Sequence, residues 1–141
     1  LATGHNTWYH LQRNEWSVHY NRSPDGKLFA GDGGGPNSVA ARSMDGQLLD
    51  PPGNGQWINL FRPVMAAGNS APIMADGKLL SGGKDLIDVG YFRCERLVDL
   101  SKHNYSLEPN VTFMPNGKWI VFRSNMHGPT HTYAVEIATA K

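Results

Sequence analysis

Leu107–Ile137, LEPNVTFMPNGKWIVFRSNMHGPTHTYAVEI, is the stretch that decides the fold. The apolar run Val111–Phe113 leads into Met114-Pro-Asn-Gly117, Lys118–Arg123 follows as a run of β-formers, and Thr132–Ile137 closes the unit. Asn-Gly between two such runs is a strong hairpin signal, because the turn needs residues that tolerate a left-handed backbone. The spacing predicts strand, tight turn, strand, loop, strand. The chain then repeats the pattern. Tyr20–Ala30, YNRSPDGKLFA, has the same turn in the same frame. Ile73–Leu80, IMADGKLL, is a third copy and Arg42–Leu49, RSMDGQLL, a looser fourth.

The turn residues Asp25, Asp76 and Asn116 stand 51 and 40 residues apart, intervals that suit successive β-propeller blades. The fold expected is all-β, built of propeller blades of the TolB-like or WD-repeat type. With four strands to a blade, 141 residues supply about three blades. Residues 1–141 therefore read as part of one propeller domain, whose full set is about four to eight blades. Missing N-terminal blades, or self-association, would close it.

Composition narrows the function classes. The net charge is +1 with no basic block, which gives no reason to expect a nucleic-acid partner. The apolar runs are only a few residues long, so no membrane-spanning segment is expected. Cys94 is the single cysteine, which excludes an internal disulfide. The sequence starts at Leu1 without a signal-peptide pattern. Asn-X-Ser/Thr triplets at Asn21, Asn104 and Asn110 read as chance matches, two of them lying in or beside predicted inner strands.

Along the chain, Trp16–Asn21 alternates as a strand and Lys27–Gly31 pairs with it, with Gly31–Gly35 as a wide turn. Asn37–Arg42 and Gln47–Asp50 read as an outer hairpin, Pro51–Gly55 as a surface loop, and Trp57–Phe61 and Gly90–Leu100 as strands. In a propeller the first strand of each blade lines the central channel, so equal offsets before the turn share one height. Six residues before the turn stand His19, Ser70 and Asn110. Period-two alternation sets Glu108 beside Asn110, and Ser17 and Asn21 beside His19. The repeat thus predicts a polar ring containing His19, Ser70, Glu108 and Asn110.

Other features have plainer readings. His127 and His131 have metal-ligand spacing, but Gly128-Pro129 breaks any helix between them, leaving a loop and a strand start. Cys94 has no neighbouring His–Asp pair to activate it. His103 sits in a polar loop. The Gly31–Gly35 run lacks the Lys and helix of a phosphate cradle. Trp57 and Trp119 read as packing between blades, and Trp8 and Trp16 as core, with sugar stacking as the alternative.

His19–Gly34, HYNRSPDGKLFAGDGG, together with Ser101-Lys-His-Asn-Tyr-Ser-Leu-Glu-Pro-Asn110 and the last repeat, resembles the C-terminal third of the oligogalacturonate lyases. These are pectin-degrading β-propeller enzymes; the resemblance covers nearly the whole chain and implies that residues 1–141 are the C-terminal blades of a seven-bladed propeller. It implies metal-assisted β-elimination on oligogalacturonides or a related uronate. The C5 proton is removed, the C4 oxygen leaves, and a divalent cation, manganese in that family, binds the carboxylate. His19 matches an inner-strand metal histidine. Where the family has a glutamine and histidines entering the last repeat, this chain has Tyr105, Glu108 and Asn110, so the implied metal set is His19, Glu108 and Asn110. The catalytic base is expected in a blade upstream, leaving residues 1–141 inactive alone. A periplasmic or cytoplasmic bacterial location is implied. Two other readings stay open: a non-catalytic TolB-like binding or scaffold module, and a different uronate-active enzyme.

Overall fold

The computed structural model describes residues 6–49, 54–65, 73–75, 78–80 and 87–137. Strands dominate: β1 Asn6–His10, β2 Val18–Arg22, β3 Phe29–Asp32, β4 Trp57–Met65, β5 Ile73–Ala75, β6 Lys78–Leu80, β7 Ile87–Asp99, β8 Thr112–Phe113, β9 Trp119–Ser124 and β10 His131–Glu136. The helical elements among the described residues are the 3-10 turns Arg13–Glu15 and Val39–Ala41. One sheet runs β1-β7-β4-β3-β2, a second β10-β9-β8, and β5-β6 form a hairpin. The chain is all-β, as the repeats predict.

The turn chemistry explains the hairpins. In the first, Gly26 N–H donates to Ser23 O at 2.8 Å and Ser23 N–H to Leu28 O at 2.9 Å. In the last, Gly117 N–H donates to Met114 O at 2.9 Å and Met114 N–H to Trp119 O at 2.8 Å. Asp25 and Asn116 occupy equivalent places because their Oδ1 accepts the N–H two residues on, from Lys27 at 3.1 Å and Lys118 at 3.0 Å. Gly26 and Gly117 follow with φ of 74° and 67°, a region that penalises any side chain. The third copy forms the β5–β6 hairpin, with Ile73 opposite Leu80. Asp76 and Gly77, the expected turn residues, lie outside the described residues, as does Ser70.

The two larger sheets share one core. Ala30 on β3, Ile58 and Leu60 on β4, and Leu100 pack with Val111, Phe113 on β8, and Ile120 and Phe122 on β9. Each large side chain buried there contributes roughly 1.5–3 kcal/mol. The opposite face of the five-stranded sheet is aromatic. Phe92 stacks on Tyr9 at 4.8 Å and meets Phe29 and Phe61 at 5.4 and 5.6 Å. Pro63 is tolerated in β4 because β3 pairs only as far as Phe61, leaving that edge without a ladder to break.

Three expectations are corrected. Asn37–Arg42 is not a strand: Val39–Ala41 makes a 3-10 turn, and the looser fourth repeat is a single bridge between Arg42 and Leu48. Ala40 and Ala41 are buried but are weak strand formers, so packing fixes their position without a ladder. Gly55 belongs to the interior and not to a surface loop. It takes the Gly35 N–H at 2.7 Å, and a Cβ on Gly33 would lie 2.4 Å from its carbonyl carbon. Ser17 does not share a face with His19. The β2–β3 register slips by one residue between Val18 and Asn21, and a one-residue bulge reverses the alternation. Ser17 therefore turns to the other face, where its Oγ accepts from Asn59 Nδ2 at 3.0 Å.

Candidate functional site

The bulge in β2 builds the site. Asn21 pairs with Ala30 and Arg22 with Phe29, then the register shifts so that Val18 pairs with Asp32. The extra residue leaves His19 with φ of 49°, uncommon for a non-glycine residue and costing on the order of 1–3 kcal/mol. Its imidazole reaches across to Asp32, with Nδ1 and Oδ2 2.8 Å apart. Asp32 shares the face of Ala30 and Leu60, and its side chain is only 1% exposed against 32% for His19.

Asn21 brings in the second half of the site. Its Oδ1 accepts the Phe113 N–H at 3.1 Å, seaming the last repeat to β2 across the shared core. That seam places Glu108 beside His19, with Oε2 3.4 Å from Nε2. Behind Glu108 the loop is fixed from within. His103, predicted only as a loop residue, is buried; its Nε2–H donates to Leu107 O at 2.6 Å, which leaves Nδ1 to accept from the Ser124 hydroxyl at 2.9 Å. Arg123 Nε–H donates to Glu108 O at 2.6 Å, and the Arg123 N–H to Pro109 O at 2.9 Å.

His19 and Glu108 thus converge from opposite ends of the described chain. Asn110 is adjacent but turned away: with φ of 52°, its Nδ2 donates to Glu108 O at 3.4 Å. Tyr105 points elsewhere. It packs edge-on against His103, its hydroxyl donates to Gly55 O at 3.3 Å, and burial pushes its phenol up. Cys94 lies half-buried in β7, its thiol pushed up to about 12 by desolvation, which disfavours the thiolate. His127 lies in the exposed turn after β9 and His131 opens β10, each with its ring against Tyr133.

Asp32 is the residue that the sequence reading missed, and hairpin arithmetic contained it. Counting outward from Asp25-Gly26, through Arg22–Phe29 and Asn21–Ala30, a regular ladder would set His19 opposite Asp32; the bulge gives that place to Val18 and still brings the His19 imidazole onto Asp32. Its carboxyl is pushed above the ordinary aspartate range because burial outweighs the opposing hydrogen bond from His19. Ionised, it can only accept, taking Nδ1–H from His19 and the Gly34 N–H at 3.3 Å. The imidazole then carries its proton on Nδ1 and presents the Nε2 lone pair to Glu108.

A lone pair and a carboxylate facing each other across 3.4 Å need something positive between them. An added Nε2 proton satisfies this, and so does a divalent cation. An ion held about 2.1–2.2 Å from each donor sets nitrogen and oxygen roughly 3.0–3.6 Å apart. The buried carboxylate behind the histidine is the usual support of a ligating imidazole. The pair fits a two-donor cation site, with the other positions left to water or substrate; no group of three or more His, Cys, Asp or Glu among the described residues is arranged to hold a metal. No family profile, no curated protein and no solved structure matches this chain.

Proposed function

We propose that this chain supplies the cation- and carboxylate-binding part of a β-propeller lyase that cleaves oligogalacturonides, or a related uronate oligosaccharide, by β-elimination. The observation that carries this reading is the Asp32–His19–Glu108 line, a buried carboxylate orienting an imidazole whose free nitrogen meets a second, exposed carboxylate. Two further facts support it. The Asp-Gly and Asn-Gly turn sequences recur at intervals that suit blades, and β8, β9 and β10 form an antiparallel three-stranded sheet that is compatible with part of one. The sequence around His19 and ahead of Glu108 resembles that of oligogalacturonate lyases.

In this reading Asp32 fixes the His19 tautomer, and His19 and Glu108 would hold one divalent cation, manganese by resemblance. Asn110 keeps the Glu108 backbone in place through its bond to that carbonyl. When bound, the cation draws charge from the substrate carboxylate and so makes the neighbouring C5 proton easier to remove. The exposed side of Glu108 leaves room for that carboxylate to approach, since 63% of its side chain is open to solvent. The chain's own contribution is to bind and orient the group beside the scissile bond.

The test is incubation of the complete protein with digalacturonate, with manganese or with a chelator, following ultraviolet absorbance of the unsaturated product. A manganese-dependent rise, lost in His19→Ala and Glu108→Ala, is expected. Full activity in His19→Ala would remove the histidine from the reaction. No rise from folded, manganese-supplied protein would leave the non-catalytic binding module as the better reading.

A further inference from the structure

Asn-Gly occurs twice in the chain, at Asn54-Gly55 and at Asn116-Gly117. The pair carries chemistry of its own, because glycine has no side chain to keep its amide nitrogen from the preceding side-chain carbonyl. The amide gives its proton to solvent hydroxide, and its nitrogen attacks the asparagine Cγ. The N–Cγ bond forms, the Cγ–Nδ2 bond breaks, and Nδ2 takes a proton from water to leave as ammonia. Water then opens the resulting five-membered imide. Opening at Cγ gives aspartate. Opening at the backbone carbonyl gives isoaspartate, whose main chain runs through Cβ and Cγ.

The fold treats the two pairs differently. Asn54 is half-buried, with Oδ1 accepting from Arg96 Nη2 at 2.7 Å. Gly55 is buried, and its carbonyl takes the Gly35 N–H at 2.7 Å and the Tyr105 hydroxyl at 3.3 Å. A Cβ on Gly33 would lie 2.4–2.6 Å from three backbone atoms of Gly55, so this peptide has no room to swing.

Asn116 is exposed in the turn between β8 and β9, and a Cβ on Gly117 would meet nothing within 4 Å. Two bonds hold the turn, Gly117 N–H to Met114 O at 2.9 Å and Lys118 N–H to Asn116 Oδ1 at 3.0 Å. Backbone bonds in an exposed turn open locally at small cost, without unfolding the strands. At both pairs a donor already rests on the side-chain oxygen, where negative charge develops during attack. Backbone freedom therefore decides between them, and it favours Asn116.

We propose that Asn116-Gly117 is a self-modification site, converted by water to aspartate and isoaspartate in the folded protein, with opposite consequences for the two products. Aspartate fits the turn. Asp25 already holds the equivalent place in the first hairpin, its Oδ1 accepting the Lys27 N–H at 3.1 Å. Isoaspartate lengthens the main chain of the turn by one methylene. β8 has little to hold its register against that, since it pairs with β9 through Thr112–Val121 and Phe113–Ile120. Phe113 N–H is the donor to Asn21, so a displaced β8 loosens the seam that sets Glu108 beside His19. The last hairpin thus carries a one-way chemical timer on the His19–Glu108 contact, and this holds whatever chemistry that contact serves.

The test ages the complete protein in mildly alkaline buffer, folded and in urea. Mass spectrometry follows the Asn116 and Asn54 peptides, with fragmentation that separates aspartate from isoaspartate. In the folded protein Asn116 is expected to convert at least about tenfold faster than Asn54, a ratio that collapses in urea. Equal rates in the folded protein, or no conversion at Asn116, overturn the assignment. A ratio that persists in urea belongs to local sequence and overturns the structural account. Hydrogen exchange of the Phe113 amide then reads the consequence. The isoaspartate form should exchange at least about tenfold faster than the parent, and Asn116→Asp at the parent's rate. Unchanged exchange in the isoaspartate form overturns the coupling to the seam.

Discussion

Asp32→Asn is a change of one atom with a directional consequence. In the parent, Oδ2 accepts from His19 Nδ1 at 2.8 Å and Oδ1 accepts from Gly34 N–H at 3.3 Å. An asparagine has one acceptor oxygen and one NH2 group, so it cannot accept from both. The Gly34 N–H is backbone and can only donate, whereas the imidazole can move its proton. The amide oxygen therefore goes to Gly34, its NH2 faces Nδ1, and the His19 proton shifts to Nε2. The nitrogen that faced Glu108 as a lone pair now faces it as a donor. Loss of a carboxylate behind a metal histidine typically weakens metal binding about 10–100-fold, or about 1.4–2.7 kcal/mol. Calorimetric titration with manganese reads the affinity, and long-range nitrogen–proton correlation spectra read the tautomer without any metal. The same variant should melt no lower than the parent at neutral pH, because it removes a buried charge. The pH dependence has a definite sign. The folded-state carboxyl lies above its unfolded value of 3.8, so its contribution is fully present below that value. That contribution falls as pH rises toward the folded pKa, because there the folded state holds more protons than the unfolded chain. Asp32→Asn lacks that fall. An unchanged His19 tautomer together with unchanged manganese affinity would refute the reasoning.

Two structural predictions accompany it. Gly33→Ala places a Cβ within 2.4–2.6 Å of three backbone atoms of Gly55, and neither segment can yield without straining the Gly35–Gly55 bond. A loss of about 1–3 kcal/mol is expected, seen as a fall in Tm of roughly 3–9 °C, and an unshifted melt would show that the segments part freely. His103→Ala removes two hydrogen bonds in a buried setting and leaves Leu107 O without its donor, for a loss of about 2–4 kcal/mol by denaturant titration. A denaturation midpoint equal to the parent's would show that the loop holds without the imidazole.

The parts of the fold that sequence made legible are those with local chemistry. The hairpins at β2–β3 and β8–β9 are written in Asp-Gly and Asn-Gly pairs, where a side-chain acceptor and a left-handed glycine act within four residues, and the β5–β6 pairing follows the same sequence signal. β1 was not legible, because it pairs in parallel with β7, Trp8 opposite Val89, and no turn residue announces a parallel partner. Val39–Ala41 carried an apolar run too short and too rich in alanine to separate strand from turn. At the site, His19 was reachable from its offset before the Asp-Gly turn, and Glu108 from its alternation with Asn110 ahead of the Asn-Gly turn. Asp32 was hidden in a glycine run that reads as loop, and the bulge beside it cannot be seen in composition. His103 shows the limit from the other side: a histidine in a polar loop gives no sign that two backbone-linked partners will bury it.

The Asn21–Phe113 seam spans 92 residues of chain, and the meeting of Glu108 with His19 waits on it. The first hairpin can close early, since its contacts are local, but Glu108 meets His19 only after the intervening strands have found their places. Contacts of such sequence separation carry the largest loop-closure cost and are characteristic of slow folding. The site is accordingly among the last features of the molecule to come into existence. A cation bridging His19 and Glu108 would recognise only the finished state. It would pull folding toward completion by mass action, with a gain that grows with the logarithm of its concentration.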